Sequence, residues 1–391
     1  MEEKRYIKEL TKCVRCGSCK ANCPTYDVDM TEGMGARGRL VLLWALSTGQ
    51  LKPTNTLVDR IFSCLLCSAC SGICPLGVDI KEVIYHGRNL LKRYDVSRRL
   101  IRLLIKFSIQ RPYLSFRFLK AGQFLLPQRF KKKILPLHIV LPENPFRVKS
   151  HVFKTLKKRG RIAVFTGCLV NFLYPHLAES LTNVLQQLYY DVIFPAGEVC
   201  CGIPLRSLGL ENEAKMLAKR NINIFKNLNV EAILSLCPTC TLALKVEYPK
   251  LIGEGIENIM DISCFFIDKI DSLHPLDSTS EYIEAVYQDP CHLRYGLDVI
   301  REPREILRSI GINLKENKNG GCCGFGGIFS LTYKELSDAL LDNRIKELRM
   351  TNANTIITSC PGCILQLSKN IENKSVLHLI EVIEEALITE P

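Results

Sequence analysis

Near its amino terminus the chain carries the run Cys13-Val14-Arg15-Cys16-Gly17-Ser18-Cys19-Lys20-Ala21-Asn22-Cys23-Pro24. Its four cysteines are separated by two, two and three residues, and a proline closes the run. Four soft thiolates on one short loop favour iron and sulfide over hard cations. The closing proline prevents a helix from drawing the last sulfur out of reach. The run therefore predicts ligands for an iron-sulfur cluster.

A second run has the same spacing and the same closing proline: Cys64-Leu65-Leu66-Cys67-Ser68-Ala69-Cys70-Ser71-Gly72-Ile73-Cys74-Pro75. Two such runs are typical of two-cluster ferredoxins, in which the fourth cysteine of each run ligates the other cluster. We therefore expect one 4Fe-4S cubane on Cys13, Cys16, Cys19 and Cys74, and a second on Cys64, Cys67, Cys70 and Cys23. Zinc is the weaker alternative, because zinc sites are usually built from two CxxC pairs.

The composition indicates a globular, multidomain protein from a reducing compartment. A length of 391 residues with 47% hydrophobic residues allows two to four domains. The 19 cysteines, with no signal segment before Lys12, favour metal ligation over disulfides and predict a cytoplasmic location. The best apolar run, from Leu100 to Ile109, is interrupted by Arg102 and Lys106 and is too short to span a bilayer.

Residues 1–94 form the predicted ferredoxin domain. The insert between its two cysteine runs contains the apolar stretch from Gly38 to Leu46, which has helical character and is stopped by Gly49 and Pro53. We therefore expect a helical ferredoxin domain, with a further helix between Val78 and Tyr94 packed over the clusters.

Residues 95–160 form a basic, aromatic-rich arm, predicted as short helices followed by an extended linker. Between residues 96 and 142 there is no acidic residue, and the following are basic: Arg98, Arg99, Arg102, Lys106, Arg111, Arg117, Lys120, Arg129, Lys131, Lys132 and Lys133. In one interpretation the aromatic side chains pack on a neighbouring domain and the lysines are solvated; these side chains are Phe107, Phe116, Phe118 and Phe124. In the other, the arm docks on anionic lipid or on an acidic partner subunit. The net charge of +12 is concentrated in this arm, and we expect no nucleic-acid partner.

The remainder of the chain is an internal duplication, with domains predicted at 161–280 and 281–391. Five cysteines recur 122 or 123 positions later. The first set is Cys168, Cys200, Cys201, Cys237 and Cys240, and the second set is Cys291, Cys322, Cys323, Cys360 and Cys363. Each set offers enough thiolates for one further cluster.

Each repeat alternates predicted strands and helices. In the first repeat the strands are 161–166, 192–195 and 232–236, with helices at 176–188 and 211–228. In the second they are 284–288, 313–316 and 355–359, with helices at 304–310 and 334–349. This order predicts parallel α/β units whose ligands gather at the carboxyl ends of the strands. All five thiolates of a repeat should thus converge at one sheet edge.

Three other features could bear on the chemistry. Cys264 has no counterpart in the other repeat and is predicted to be a buried apolar thiol. The glycines around Cys322 and Cys323 lack a GxGxxG pattern and suit a backbone wrapped closely around a cluster. His292 and Arg294 are either donors to cluster sulfurs or ordinary loop residues. We find no flavin or nicotinamide motif in the sequence.

These motifs resemble those of the iron-sulfur subunits of glycolate oxidase and D-lactate dehydrogenase, and more distantly those of the heterodisulfide reductases. The resemblance covers nearly the full length and is close at Cys23-Pro24-Thr25-Tyr26, at Arg37-Gly38-Arg39, from Asp59 to Cys74 and in both cysteine-rich repeats. It implies a multidomain α/β protein: a helical ferredoxin domain with two 4Fe-4S clusters, followed by two duplicated α/β cysteine-rich (CCG) domains. In heterodisulfide reductases the five-cysteine CCG motif is associated with a noncubane 4Fe-4S cluster, so the resemblance implies one further cluster, cubane or noncubane, in each repeat.

The resemblance also implies partners. They would be an FAD-binding oxidase or dehydrogenase subunit that oxidises a 2-hydroxy acid, and a quinone or another electron carrier that receives single electrons. A peripheral contact with the inner face of the cell membrane stays open. The alternative function is a heterodisulfide-reductase-like subunit that reduces a disulfide at a CCG-bound cluster.

Overall fold

The computed structural model describes residues 3–125, 140–146, 151–156, 158–276, 284–316, 321–371 and 374–388. Its first part is helical, as predicted, and its described residues form no strand before residue 151. The helices are α1 (Glu3–Thr11), α2 (Pro24–Asp29), α3 (Ala36–Ser47), α4 (Asn55–Phe62), α5 (Ala69–Gly72) and α6 (Ile80–Leu91). Helix α3 contains the stretch predicted between the two runs, and α6 lies within the predicted segment 78–94.

The core of this part forms where α1, α3, α4 and α6 meet. Leu43, Ile61, Val83 and Ile84 are fully buried there. Gly38 lets α3 approach the preceding turn, because a Cβ at this position would lie 2.0 Å from the carbonyl oxygen of Glu32. Both cysteine runs are loops attached to this small helical core.

The arm begins with a helical hairpin, α7 (Arg99–Gln110) and α8 (Pro112–Leu125). Of the aromatic residues expected to pack, Phe116 is buried against Phe172, with ring centroids 5.9 Å apart. The expectation was wrong for Phe107 and Phe118, which are 44% and 63% exposed. Their positions along α7 and α8 place these two rings on the side of the hairpin that faces solvent. Arg129, Lys131, Lys132, Lys133 and the side chain of Phe124 lie outside the described residues.

The first repeat is built on a five-stranded sheet of order β1-β3-β2-β4-β5. Its strands are β1 (His151–Phe153), β2 (Gly160–Phe165), β3 (Tyr190–Phe194), β4 (Ala232–Ser235) and β5 (Ile259–Asp261). Strands β2 to β5 are parallel, and β1, contributed by the arm, pairs antiparallel with β3. The helices are α9 (Gly167–Phe172), α10 (Pro175–Gln187), α11 (Ile203–Ser207), α12 (Glu211–Phe225), α13 (Pro238–Leu242), α14 (Tyr248–Ile252) and α15 (Ile262–Phe266).

The second repeat has a four-stranded parallel sheet of order β7-β6-β8-β9, which matches β3-β2-β4-β5 of the first. Its strands are β6 (Glu284–Tyr287), β7 (Asn313–Lys315), β8 (Thr355–Thr358) and β9 (Ser375–His378). The helices are α16 (Arg301–Ser309), α17 (Phe329–Thr332), α18 (Lys334–Arg349), α19 (Pro361–Leu367) and α20 (Leu379–Ile388). The predicted strands and helices of both repeats are confirmed to within three residues at each boundary.

The two repeats share one hydrophobic core. Alternate residues of β2, Ile162 and Val164, face this shared core together with α10 and α20, while Ala163 and Phe165 face a second core under α12. The shared core joins the two sheets, and the carboxyl ends of their strands therefore lie next to each other. This arrangement positions the cysteine sites.

Candidate metal centres

The first cysteine cavity is lined by Cys13, Cys16, Cys19 and Cys74. Three of these residues come from the first run and the fourth from the end of the second. Cys16 is exposed, so the cavity lies at the surface of the molecule. The structure thus brings together the first predicted ligand set.

The second cavity is lined by Cys23, Cys64, Cys67 and Cys70, with Ile80 and Ile84 of α6 closing one side. Cys23 crosses from the first run to reach it. The thiols of Cys19 and Cys70 are close enough to interact electrostatically across the two cavities. The second predicted ligand set is therefore also assembled, and it is adjacent to the first.

The two loops share an unusual backbone. Arg15 and Gly17 in the first run have φ of 61° and 93°, and Leu66 and Ser68 hold the equivalent places in the second, with φ of 60° and 69°. Left-handed conformations are costly for residues other than glycine and are maintained only when the surroundings require them. Here they curve each loop around its cavity.

Two buried arginines fix these loops. Arg39 lies in the Arg37-Gly38-Arg39 stretch that carries the family resemblance, but no local pattern in the sequence indicates the structural role of either arginine. Arg39 donates to the carbonyl oxygen of Arg60 at 2.7 Å, to Thr25 Oγ1 at 3.0 Å and to Ser63 Oγ at 3.1 Å. Arg88 donates to the carbonyl oxygens of Ile61, Phe62 and Cys64 on the chain leading into the second run, and to that of Ser207 in the first repeat at 2.8 Å. Such residues resemble surface charges in sequence because their burial depends on tertiary packing.

The first repeat gathers its five cysteines at the carboxyl edge of its sheet. Their thiols are neighbours in the order Cys168, Cys200, Cys201, Cys240 and Cys237, and each is close enough to shift the pKa of the next. Gly167, with φ of 62°, leaves room for them, because a Cβ there would lie 2.8 Å from Cys240 Sγ. Hydrogen bonds from Cys200 and Cys240 lower the pKa of the Cys201 thiol to about 6, despite its burial. A thiolate is the form that binds metal.

Hydrogen bonds from two side chains, Asn221 and Tyr248, hold the loop that carries Cys200 and Cys201. Asn221 is fully buried and donates to the carbonyl oxygens of Val199 and Cys200 at 3.2 and 3.3 Å. The hydroxyl of Tyr248 donates to the carbonyl oxygen of Cys201 at 3.0 Å.

The second repeat gathers Cys291, Cys322, Cys323, Cys360 and Cys363 in the same way. Cys323 Sγ lies 3.4 Å from Cys363 Sγ. Hydrogen bonds from Cys322 and Cys363 hold the pKa of the Cys323 thiol well below its ordinary value. The second cysteine of each adjacent pair, Cys201 or Cys323, therefore favours the thiolate in both repeats.

The two repeats differ behind their cysteine pairs. Arg344 is 2% exposed and lies behind the Cys322-Cys323 loop, at the place that Asn221 holds in the first repeat. It donates through Nε to Gln288 and through Nη1 to Glu347 at 2.7 Å, whereas its Nη2 has no partner among the described residues. The second site therefore has a buried cation where the first has a neutral amide.

The sites of the two repeats and of the ferredoxin part adjoin one another. Cys67 packs in one cluster with Cys291 and Cys322, and a cavity of about 380 Å³ lies between them. At the far side of the second repeat, the thiol of Cys360 is close enough to that of Cys237 in the first repeat for each to shift the pKa of the other. The cysteine sites therefore follow one another in a row from the ferredoxin loops, through the second repeat, to the first.

His292 and Arg294 bond to groups other than sulfur. His292 Nδ1 pairs with Thr239 Oγ1 at 2.8 Å, and its Nε2 lies 3.0 Å from the carbonyl oxygen of Leu66 and 3.3 Å from Lys81 Nζ. Burial, together with Lys81, lowers the pKa of His292 to about 4. Arg294 pairs with Asp289 at 2.9 Å. The His292 side chain is therefore uncharged at neutral pH, and its hydrogen bonds link the second repeat to the first repeat and to the ferredoxin part.

Cys264 lies apart from these sets on α15 and is half-buried. Burial raises the pKa of its thiol to about 12, with Asp261 and Glu302 contributing. In the described part of the chain, no three His, Cys, Asp or Glu side chains converge closely enough to hold a single metal ion.

Loops with four thiols from two CxxCxxCxxxCP runs suit 4Fe-4S clusters, in which each iron takes one cysteine. The fold and the sites together define an iron-sulfur protein. Comparison with known families agrees: a 4Fe-4S dicluster domain matches residues 9–78, and a cysteine-rich domain (CCG) matches residues 162–245 and 285–368. The chain thus carries a 4Fe-4S dicluster domain followed by two cysteine-rich CCG domains.

Relatives of similar length carry two kinds of name. A probable glycolate oxidase iron-sulfur subunit of Bacillus subtilis is 29% identical, over 97% of this chain and 94% of the relative. The glycolate oxidase iron-sulfur subunit of Escherichia coli is 27% identical, with the same coverage. A dihydromethanophenazine:CoB--CoM heterodisulfide reductase subunit of Methanosarcina acetivorans is 27% identical, over 91% of this chain and 88% of the relative.

Among solved structures, a hypothetical protein from Helicobacter pylori has a similar fold. Its TM-score is 0.53 at 12% identity, over 100% of this chain and 74% of the other. None of the described helices of our chain is both long and apolar enough to cross a membrane.

Proposed function

We propose that this chain is the iron-sulfur electron-transfer subunit of a flavin-dependent 2-hydroxy-acid oxidoreductase of the glycolate or D-lactate type. Its donor is an FAD-binding partner subunit, and its acceptor is a quinone or another carrier. The proposal rests on the row of thiols that runs from the exposed Cys16 to Cys168. Sites for one-electron carriers in such a row suit conduction between two partners.

The same geometry supports the proposed ligand sets and domain limits. Cys13, Cys16, Cys19 and Cys74 would hold one cubane, and Cys23, Cys64, Cys67 and Cys70 the other. The five cysteines of each repeat would hold one further 4Fe-4S cluster, cubane or noncubane. We retain domain limits of 1–94, 95–160, 161–280 and 281–391, with β1 of the arm completing the first sheet.

The arrangement of the cysteine sites also suggests the order in which electrons would pass through them. Donor electrons would enter at the exposed first cavity and reach the second repeat before the first, because Cys67 adjoins Cys291 and Cys360 adjoins Cys237. A 4Fe-4S cluster, when bound, accepts and releases one electron at a time. Arg344 favours added negative charge at the second repeat. The chain's own residues thus supply a path for electrons, whereas the oxidation of a 2-hydroxy acid requires the flavoprotein.

The second candidate is a subunit that reduces a disulfide at a CCG-bound cluster. Two observations favour it: both repeats keep all five cysteines, and the cavity beside Cys291 and Cys322 is large enough for a small organic ligand. In that case the chain would carry a catalytic site of its own.

An assay of the isolated, cluster-replete protein separates the two functions. With reduced viologen as donor, we expect it to reduce a water-soluble quinone and not to turn over a panel of disulfides. We also expect no oxidation of glycolate or D-lactate by the chain alone, because its sequence shows no flavin-binding motif. Absorbance of the viologen and of the products is the measurement.

Cys323→Ser and Cys264→Ser are the paired variants for this assay. Both lose one thiol, but only Cys323 belongs to a proposed cluster site. Disulfide turnover that is lost in Cys323→Ser and kept in Cys264→Ser would contradict the electron-transfer proposal and support the catalytic one.

A further inference from the structure

The outer face of the α7–α8 hairpin is apolar and exposed. On α7, Leu100, Leu103, Leu104 and Phe107 follow the spacing of one helical face, and they are 66%, 60%, 56% and 44% exposed. On α8 this face continues through Leu114, Phe118 and Leu119, which are 43%, 63% and 45% exposed. A contiguous apolar surface of this kind marks a site of contact with a partner or a membrane.

The charges on the hairpin are all positive. Its inward charges are neutralised within the protein, since Arg102 pairs with Asp95 and Lys106 pairs with Glu213. Arg99, Arg111 and Arg117 remain exposed beside the apolar face, with no ion pair among the described residues. The hairpin thus presents leucine and phenylalanine side chains flanked by arginines, and it has no acidic side chain. This pattern is typical of a helix that lies in the interface of an anionic bilayer.

The inner face of the hairpin packs on the first cysteine-rich repeat beside its cysteines. Tyr113 and Phe116 contact Phe172, which is at the end of α9, the helix that carries Cys168. Ile105 and Ile109 pack on the core that includes Cys200 and Cys201. The apolar surface therefore lies on the side of the molecule where the row of thiols ends.

We propose that the outer face of the α7–α8 hairpin binds the surface of an anionic bilayer and holds the first repeat's cysteine site at the membrane, where it serves a lipid-soluble quinone. The identity of this acceptor rests on the proposed function. An acidic protein partner is disfavoured because the surface is a broad apolar helix face with arginines only at its edges. The opposite, ferredoxin end of the row stays open to the donor, since Cys16 and Val14 are exposed there.

Vesicle flotation of the cluster-replete full chain tests the contact. The vesicles contain equal parts of phosphatidylcholine and phosphatidylglycerol, and a parallel set contains phosphatidylcholine alone. We expect the chain to float with the anionic vesicles and to dissociate as salt is added, because exposed charges are screened over roughly 8 Å at physiological ionic strength. Leu103→Glu or Phe118→Glu should weaken binding at least about tenfold, since each removes one large buried apolar group at the lipid contact.

Met350→Glu is the matched control, because Met350 is 82% exposed on the second repeat, away from the hairpin. It should float like the unaltered chain. All three variants should keep their iron content, since the altered residues are exposed. Failure of the unaltered chain to float, equal binding by all variants, or a self-associated dimer that Leu103→Glu dissociates would each overturn the proposal.

A quinone assay distinguishes this inference from the proposed function on which it rests. With reduced viologen, Leu103→Glu should slow reduction of a long-chain quinone embedded in the anionic vesicles and leave reduction of a water-soluble quinone unchanged. Equal rates with the embedded quinone for Leu103→Glu and the unaltered chain would overturn the membrane contact alone. Failure of the unaltered chain with both quinones would instead contradict the proposed acceptor.

Discussion

Replacing Cys23 with serine should remove the cluster of the second cysteine run, although Cys23 belongs to the first. Cys23 lines the same cavity as Cys64, Cys67 and Cys70, while the fourth cysteine of the other cavity is Cys74. We expect Cys23→Ser to lose about four iron atoms per chain. Iron analysis and electron paramagnetic resonance of the reduced protein are the measurements.

The reciprocal variant, Cys74→Ser, should affect the cluster that Cys13, Cys16 and Cys19 hold. Cys264→Ser is the control for loss of a thiol outside the sites, and it should keep all its iron. If Cys23→Ser removed only the cluster of the first run, the crossed ligand sets would be wrong.

Arg206→Met should destabilise the junction between the ferredoxin part and the first repeat by about 3–5 kcal/mol. Arg206 is 3% exposed and donates to both carboxylate oxygens of Glu82, at 2.8 and 2.6 Å, and to Glu247 at 3.2 Å. Its guanidinium lies 4.1 Å from the centre of the Tyr85 ring, and Lys81 pairs with Glu247 at 2.6 Å. Methionine fills a similar volume but leaves two buried carboxylates with one cation. The measurement is the urea concentration at which the visible absorbance of the clusters is lost.

Lys226→Met is the control, because Lys226 and Glu254 form a pair whose side chains are 56% and 51% exposed, and its loss should cost less than about 1 kcal/mol. Adding Glu82→Gln to Arg206→Met should recover part of the loss. Equal urea midpoints for Arg206→Met and Lys226→Met would contradict a structural role for the buried network.

The pH dependence of this network has a defined sign. Burial alone would raise the pKa of Glu247, but Lys81 and Arg206 lower it from 4.5 to about 2. A carboxylate with a depressed pKa contributes stability above its unfolded value, and that contribution is lost as the pH falls towards its folded value. The stabilisation from Glu247 should therefore be complete above about pH 4.5 and decline towards pH 2.

The secondary structure of the repeats was predictable because each element has a strong local pattern. The helix 334–349 begins and ends where predicted, since its apolar residues recur at helical spacing between Tyr333 and Met350. Strands β5 and β9, one in each repeat, were not predicted. They have only three and four residues and are fixed by parallel pairing with β4 and β8, which is a long-range effect. Strand β1 was missed for the same reason, because it forms only against β3.

The candidate sites were predictable where their cysteines are close together in the sequence or recur at a fixed spacing. Cysteine spacing identified four sets of residues that come together in the structure. Spacing cannot tell which repeat adjoins the ferredoxin part, because the contact of Cys67 with Cys291 joins residues far apart in sequence. The buried Arg206 and Arg344 were not recognised either, since nothing local distinguishes them from surface arginines.

Iron and acid-labile sulfide analysis of the anaerobically purified chain tests most directly whether the cysteine sites form a row of four clusters. Eighteen cysteines in four sets predict about sixteen iron atoms per chain, with spectroscopic signals beyond those of two cubanes. About eight iron atoms, with signals of two cubanes only, would show that the repeats hold no clusters, and the proposed path through Cys291 and Cys237 would be wrong.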